Sequence, residues 1–187
     1  CLGDVSGKGV PASLFMAQAS RLFHALAKQH QKPAEIATRM NNELTEKNDN
    51  GMFVTMFIGE IDLTTGHLLF CNAGHNPPVI GGDEQKGSFL EMETNAPIGL
   101  WPGLEFVGEE LASVKGRPLL IYTDGLNEAE NDRQEQLGDD RMLAILRHTD
   151  FENARQVVEV LNAEVERHRN GAEASDDLTI MCIRTSK

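Results

Sequence analysis

The sequence predicts an α+β fold, and three observations carry that expectation. Strand-like runs gather in clusters, with helix-like runs of 3.6-residue period grouped between them. One run, Pro118-Leu119-Leu120-Ile121-Tyr122-Thr123, is almost continuously apolar and reads as a central strand buried on both faces. No repeat, linker or low-complexity stretch divides the 187 residues, so residues 1–187 are expected to form a single domain with a sizeable core.

Taken in order, Cys1-Leu2 opens inside a strand, and Gly3-Asp4-Val5-Ser6-Gly7-Lys8-Gly9 is its exit into a tight glycine turn. Gly7 and Gly9 permit positive φ or close backbone approach. Pro11 suits the first turn of a helix. A phosphate-cradling P-loop is excluded: only three residues separate Gly3 from Gly7, and Gly9 replaces the Ser/Thr required after the lysine. Phe15, Ala19, Leu22 and Leu26 mark one face of a helix over about 11–30. Gln31-Lys32-Pro33 breaks it, and a second helix carries Ile36, Met40 and Leu44. Residues 53–62 and 67–73 read as a hairpin about Thr64-Thr65-Gly66. Gly74-His75-Asn76-Pro77-Pro78 is a rigid connection to short strands at 79–80, 89–91 and 105–111. The strand at 118–123 stops at Asp124-Gly125. Helices over 139–148 and 154–170 follow, and Ser175-Asp176-Asp177 leads into a last strand at 178–183.

A net charge of −12 argues against a nucleic-acid partner, which requires basic patches. Cys1, Cys71 and Cys182 are odd in number and contain no CxxC pair, so they read as reduced thiols of a cytoplasmic protein. No apolar run approaches a membrane span, and no signal peptide opens the chain. A chain that starts within a strand and lacks an initiator Met is expected to be a piece of a longer protein.

Three acidic sites share a local pattern. Asp4 and Asp124 follow apolar strands, and Asp176 with Asp177 precedes one. Strand ends of one sheet meet at one rim, so these carboxylates are expected to cluster, which demands cations to offset their repulsion. Oxygen donors without histidine or thiolate point to Mg²⁺ or Mn²⁺. Each Asp alone also fits the plainer reading, a turn residue capping backbone N–H groups.

The motifs Gly3-Asp4-Val5-Ser6-Gly7-Lys8-Gly9, Asn72-Ala73-Gly74-His75-Asn76-Pro77-Pro78, Tyr122-Thr123-Asp124-Gly125-Leu126-Asn127-Glu128-Ala129 and Asp176-Asp177-Leu178-Thr179 occur in this order and span the chain. Together they resemble the sporulation- and stress-regulator branch of the bacterial metal-dependent protein phosphatases, the PPM or protein phosphatase 2C-like family. The resemblance implies two packed antiparallel sheets flanked by helices (an α-β-β-α layering), with N-terminal strand and acidic ligand absent here. It implies Asp4 as bridging ligand of two metals, the Val5 carbonyl on one of them, Asp124 and Asp176 on the other, and Asp177 beside them. It also implies Asp4, Asp124 and Asp176 as the catalytic set, activating water against phosphoserine or phosphothreonine. Two ions, Mn²⁺ or Mg²⁺, are implied for a complete domain and at most one tight ion for this chain.

Where animal-type relatives carry a histidine, this chain has Ser6. The implied role is the C-terminal output module of a signalling protein, acting on a phosphorylated regulatory partner such as an anti-sigma-factor antagonist. Self-association as a homodimer through an unpaired sheet edge is a further expectation. The rivals are a pseudophosphatase that only binds such a partner and a phosphodiesterase or small-molecule phosphatase. His75 reads as a loop-ordering residue, Trp101 as packing or a docking tip, and Cys71 and Cys182 as core residues.

Overall fold

The computed structural model describes residues 1–29, 31–46, 48–81, 87–148, 153–174 and 176–185. The fold is α+β, as expected, and the chain divides into two compact units.

The first unit comprises Cys1–His75 and Met92–Ser113. Its antiparallel sheet has the order β1-β2-β3-β6, from β1 (Leu2–Val5), β2 (Val54–Ile61), β3 (Leu68–Ala73) and β6 (Glu109–Leu111). The β2–β3 hairpin turns on Asp62, whose Oδ1 accepts from the Thr64 and Thr65 amides at 2.7 and 3.2 Å. Period-two alternation sends Val54, Met56 and Ile58 into the core shared with α1 (Val10–Ala27) and α2 (Pro33–Thr45). Phe15, Ala19 and Leu26 come from α1, and Ile36, Met40 and Leu44 from α2, as the helical periodicity predicts. The first helix stops at Ala27, short of the expected end, and Gln29 N–H donates to Leu26 O at 2.9 Å; His30 lies outside the described residues. The expected strand over 105–111 shrinks to Glu109–Leu111. Upstream, Thr38 Oγ1 takes the Phe106 amide and Asn95 Oδ1 the Val107 amide, so side chains replace the ladder.

The second unit comprises Asn76–Glu91 and Val114–Lys187. Its sheet runs β5-β4-β7-β8, from β4 (Val79–Ile80), β5 (Ser88–Phe89), β7 (Leu119–Tyr122) and β8 (Ile180–Ile183). All four residues of β7 are buried and it pairs on both sides, as its apolar run predicts. Leu120 and Tyr122 pack with Met142 and Leu146 of α3 (Asp139–His148) and Val157, Leu161 and Val165 of α4 (Ala154–Arg169). Asn153 caps α4, its Oδ1 accepting the Gln156 amide at 3.0 Å, and Asn170 closes it in the left-handed region.

Candidate metal centre

The predicted acidic residues come from both sheets, which corrects the expectation of strand ends on a single one. Asp4 stands on β1 of the first sheet, whereas Asp124 and the Asp176–Asp177 pair flank β7 and β8 of the second. The cause is pairing: the β2–β3 hairpin captures β1, while β7 recruits the distant C-terminal strand.

In the first unit, β1 is an edge strand among the described strands, pairing Asp4 with Thr55 and Val5 with Val54. Asp4 is exposed. The glycine turn beyond it is latched in both directions to Phe53, the residue before β2. Ser6 N–H donates to Phe53 O at 2.9 Å, and Phe53 N–H donates to Ser6 Oγ at 2.9 Å. Gly7 and Gly9 adopt φ of 80° and 81°, which explains glycine at both and delivers the chain into α1 two residues before Pro11. Ser6 therefore serves the loop. His75 is buried and held by its own motif: its N–H donates to Asn72 Oδ1 at 2.9 Å, and Asn72 Nδ2 donates to His75 O at 2.8 Å. Its Nδ1 lies 3.1 Å from Thr55 Oγ1, on the residue opposite Asp4.

In the second unit, Asp124 follows the end of β7, and one of its carboxylate oxygens, Oδ1, is buried and accepts no hydrogen bond. Asp62 behaves differently: its Oδ1 is spent on two turn amides, which hold its carboxyl below the ordinary carboxylate range. Asp62 is the turn-capping aspartate of the plainer reading, and Asp124 is not. A buried acceptor without a partner is costly unless something satisfies it. Gly125 is obligatory here, because a Cβ would lie 2.4 Å from Asp177 O. The backbone of the Asp124 turn is thus pressed against that of Asp177. Asp176 Oδ1 accepts the Asp177 amide at 2.8 Å, and both residues are exposed.

The segment after Asp124 is fastened too. Glu128 N–H returns to Asp124 O at 2.8 Å, and Asn127 Nδ2 donates to Asp139 Oδ1 at 2.9 Å. Asn76 Nδ2 reaches Asn127 Oδ1 at 3.4 Å, so two of the sequence motifs touch. Burial, with the nearby Asp139 charge, pushes the Tyr122 hydroxyl up. Missed by sequence reasoning were the hydroxyls of Thr55, Ser6 and Thr123, whose partners are 20 to 56 residues away.

Within neither unit, among the described residues, do three or more His, Cys, Asp or Glu side chains form a group able to hold a metal by themselves. The donors that are present still fit Mg²⁺ or Mn²⁺, which take oxygen ligands and are commonly bound through one or two carboxylates, with water completing the shell. The partnerless Asp124 oxygen, on the residue before the Gly125 that abuts the Asp177 backbone, is such a donor. No described helix is long and apolar enough to cross a membrane.

The family described as Stage II sporulation protein E (SpoIIE) matches residues 1–186. Protein IcfG of Synechocystis sp. is 28% identical over 97% of this chain and 33% of its own length. Phosphoserine phosphatase RsbP of Bacillus subtilis is 30% identical over 66% of this chain and 31% of its own length. The chain thus spans about a third of the curated relatives it matches. The SiaA-PP2C domain of Pseudomonas aeruginosa superposes with a TM-score of 0.80 at 20% identity, covering 97% of this chain and 73% of that one. The PP2C phosphatase domain with a fragment of the regulatory domain of SpoIIE from Bacillus subtilis gives 0.81 at 19% identity, covering 97% of this chain and 52% of that one. At these identities the likeness shows the fold.

Proposed function

This chain belongs to the Stage II sporulation protein E (SpoIIE) family, and on that premise we propose that it is a metal-dependent protein serine/threonine phosphatase domain. The observation that carries the reading is the buried, partnerless Oδ1 of Asp124 after the central strand, whose neighbour Gly125 packs on the Asp177 backbone. In this reading Asp124 and Asp176 would hold one Mn²⁺ or Mg²⁺, with Asp177 beside them, and Asp4 and the Val5 carbonyl would be metal ligands supplied by the first unit. Bound divalent cations supply Lewis acidity, making water at the site more acidic and offsetting charge on the phosphoryl oxygens.

The chain's own contribution is rigidity. The buried strand β7 fixes where Asp124 starts, the Gly125 contact fixes how close Asp177 comes, and the Ser6 latch holds the loop after Asp4. Carboxylates held in place in this way would fix the cations that offset charge developing during phosphoryl transfer. The substrate class we assign is phosphoserine or phosphothreonine on a regulatory protein, an anti-sigma-factor antagonist among the candidates. Support comes from the relative RsbP, which is named a phosphoserine phosphatase. The net charge of −12 speaks against nucleic acid as substrate.

Parallel assays on a phosphoserine peptide, p-nitrophenyl phosphate and a phosphate bis-ester, each with Mn²⁺, test the proposal. Hydrolysis of the two monoesters and not the bis-ester is expected. Peptide binding without hydrolysis would mark a partner-binding module instead, and bis-ester cleavage a phosphodiesterase.

A further inference from the structure

The β7–β8 ladder ends at Tyr122 opposite Ile180, yet the pairing of the two chains does not end there. Thr123 N–H donates to Thr179 O at 3.0 Å, which adds one more rung. The Thr123 hydroxyl then takes over. Its Oγ1 donates to Asp177 O at 2.9 Å and accepts from Thr179 N–H at 2.9 Å. One hydroxyl therefore uses both of its capacities on the backbone either side of Leu178, and the residue is 4% exposed. A side chain does here what the sheet does elsewhere, one residue past the last paired position of β7.

The consequence is geometric. Thr123 immediately precedes Asp124, and Asp177 immediately follows Asp176. Gly125, on the other side of Asp124, lets the same Asp177 carbonyl come within 2.4 Å of where a Cβ would stand. Asp124 is thus flanked by two contacts to one carbonyl, one from a hydroxyl and one from a missing side chain. We infer that Thr123 is a positioning residue, whose hydroxyl holds the Asp176–Asp177 turn at the distance from Asp124 that a shared cation requires. This rests on the metal-dependent reading above. The buried Asp124 oxygen is the group the arrangement serves, since it accepts no hydrogen bond of its own.

Two substitutions separate this role from a merely space-filling one. Valine matches threonine in shape and keeps the β-branch, but leaves Asp177 O and Thr179 N–H without their partner. Serine keeps both bonds and loses only a methyl group. A packing role predicts that valine is tolerated and serine is not; a positioning role predicts the reverse for metal binding.

The test is calorimetric titration of the 187-residue chain with Mn²⁺ alone, for wild type, Thr123→Val and Thr123→Ser, with circular dichroism melts alongside. Thr123→Val should bind Mn²⁺ at least about tenfold more weakly, as losses of groups that orient metal ligands do. Thr123→Ser should stay within about threefold of wild type, well below that range. Wild-type affinity in a folded Thr123→Val overturns the inference while leaving the phosphatase reading intact. Should Thr123→Val not fold, Thr123→Ser decides: a loss of about tenfold there overturns it. A wild-type chain that binds no Mn²⁺ contradicts the metal reading itself, and the inference with it.

Discussion

Thr55 Oγ1 lies 3.1 Å from His75 Nδ1, tying the Gly-His-Asn-Pro turn to the strand residue that faces Asp4. The same hydroxyl donates to Asp4 O at 3.4 Å. Replacing it removes a hydrogen bond to a buried histidine. Thr55→Val is expected to cost about 1–3 kcal/mol. In a chain of this size each kcal/mol lowers Tm by about 2–4 °C. Thr55→Ser, which keeps the hydroxyl, should melt close to wild type in the same scan.

Gly125 offers a sharper steric test. Its Cβ would stand 2.4 Å from Asp177 O and 2.8 Å from Asp177 C, backbone atoms that have no rotamer in which to escape. Gly125→Ala should destabilise by roughly 3 kcal/mol or more, at the upper end for single substitutions. Gly138→Ala is the control: at φ 80°, with nothing within 4 Å of its Cβ, it should cost only about 1–2 kcal/mol of backbone strain. Urea denaturation of both variants compares them, and equal midpoints would refute the contact.

Cysteine chemistry should be graded by burial. Cys71 is 1% exposed, and burial, reinforced by the Glu109 charge, pushes its thiol up to about 12 from the ordinary 9.0. Burial pushes Cys182 up to about 11, against a smaller opposing effect of Arg184. Cys1 is exposed. Iodoacetamide at pH 8 with mass spectrometry should label Cys1 first and Cys71 only on unfolding. The pH dependence has a definite sign. Between the unfolded value near 9 and the folded value near 12 the unfolded chain holds fewer protons, so stability falls as pH rises through that window. A melting temperature independent of pH from 8.5 to 10.5 would contradict this (a range chosen to bracket the unfolded thiol).

Elements whose cause is local could be read from the sequence. The helix at Asp139–His148 was expected with those ends and has them, because acidic residues open it and basic ones close it on an amphipathic stripe. The four-residue core strand Leu119–Tyr122 follows from its unbroken apolar run. Failures occur where a distant side chain intervenes. The strand expected from 178 begins at Ile180, since Thr179 N–H bonds the Thr123 hydroxyl instead of a strand partner. The strand expected from 105 loses its first half to Thr38 and Asn95. At the candidate site, Asp4, Asp124, Asp176 and Asp177 stood out by their place beside apolar runs. Their division between two sheets, and the hydroxyls of Ser6, Thr55 and Thr123, depend on partners far along the chain that no local pattern announces.

The central claim concerns Asp124, and one measurement addresses it most directly. Phosphate release from a phosphoserine peptide is followed with Mn²⁺ and with chelator, for wild type and Asp124→Asn, which keeps shape and removes charge. The account predicts release that requires Mn²⁺ and falls at least ~100-fold in Asp124→Asn, the scale of losing one strong electrostatic stabiliser, with the fold intact by circular dichroism. Wild-type turnover in Asp124→Asn, or release that persists under chelation, would contradict it.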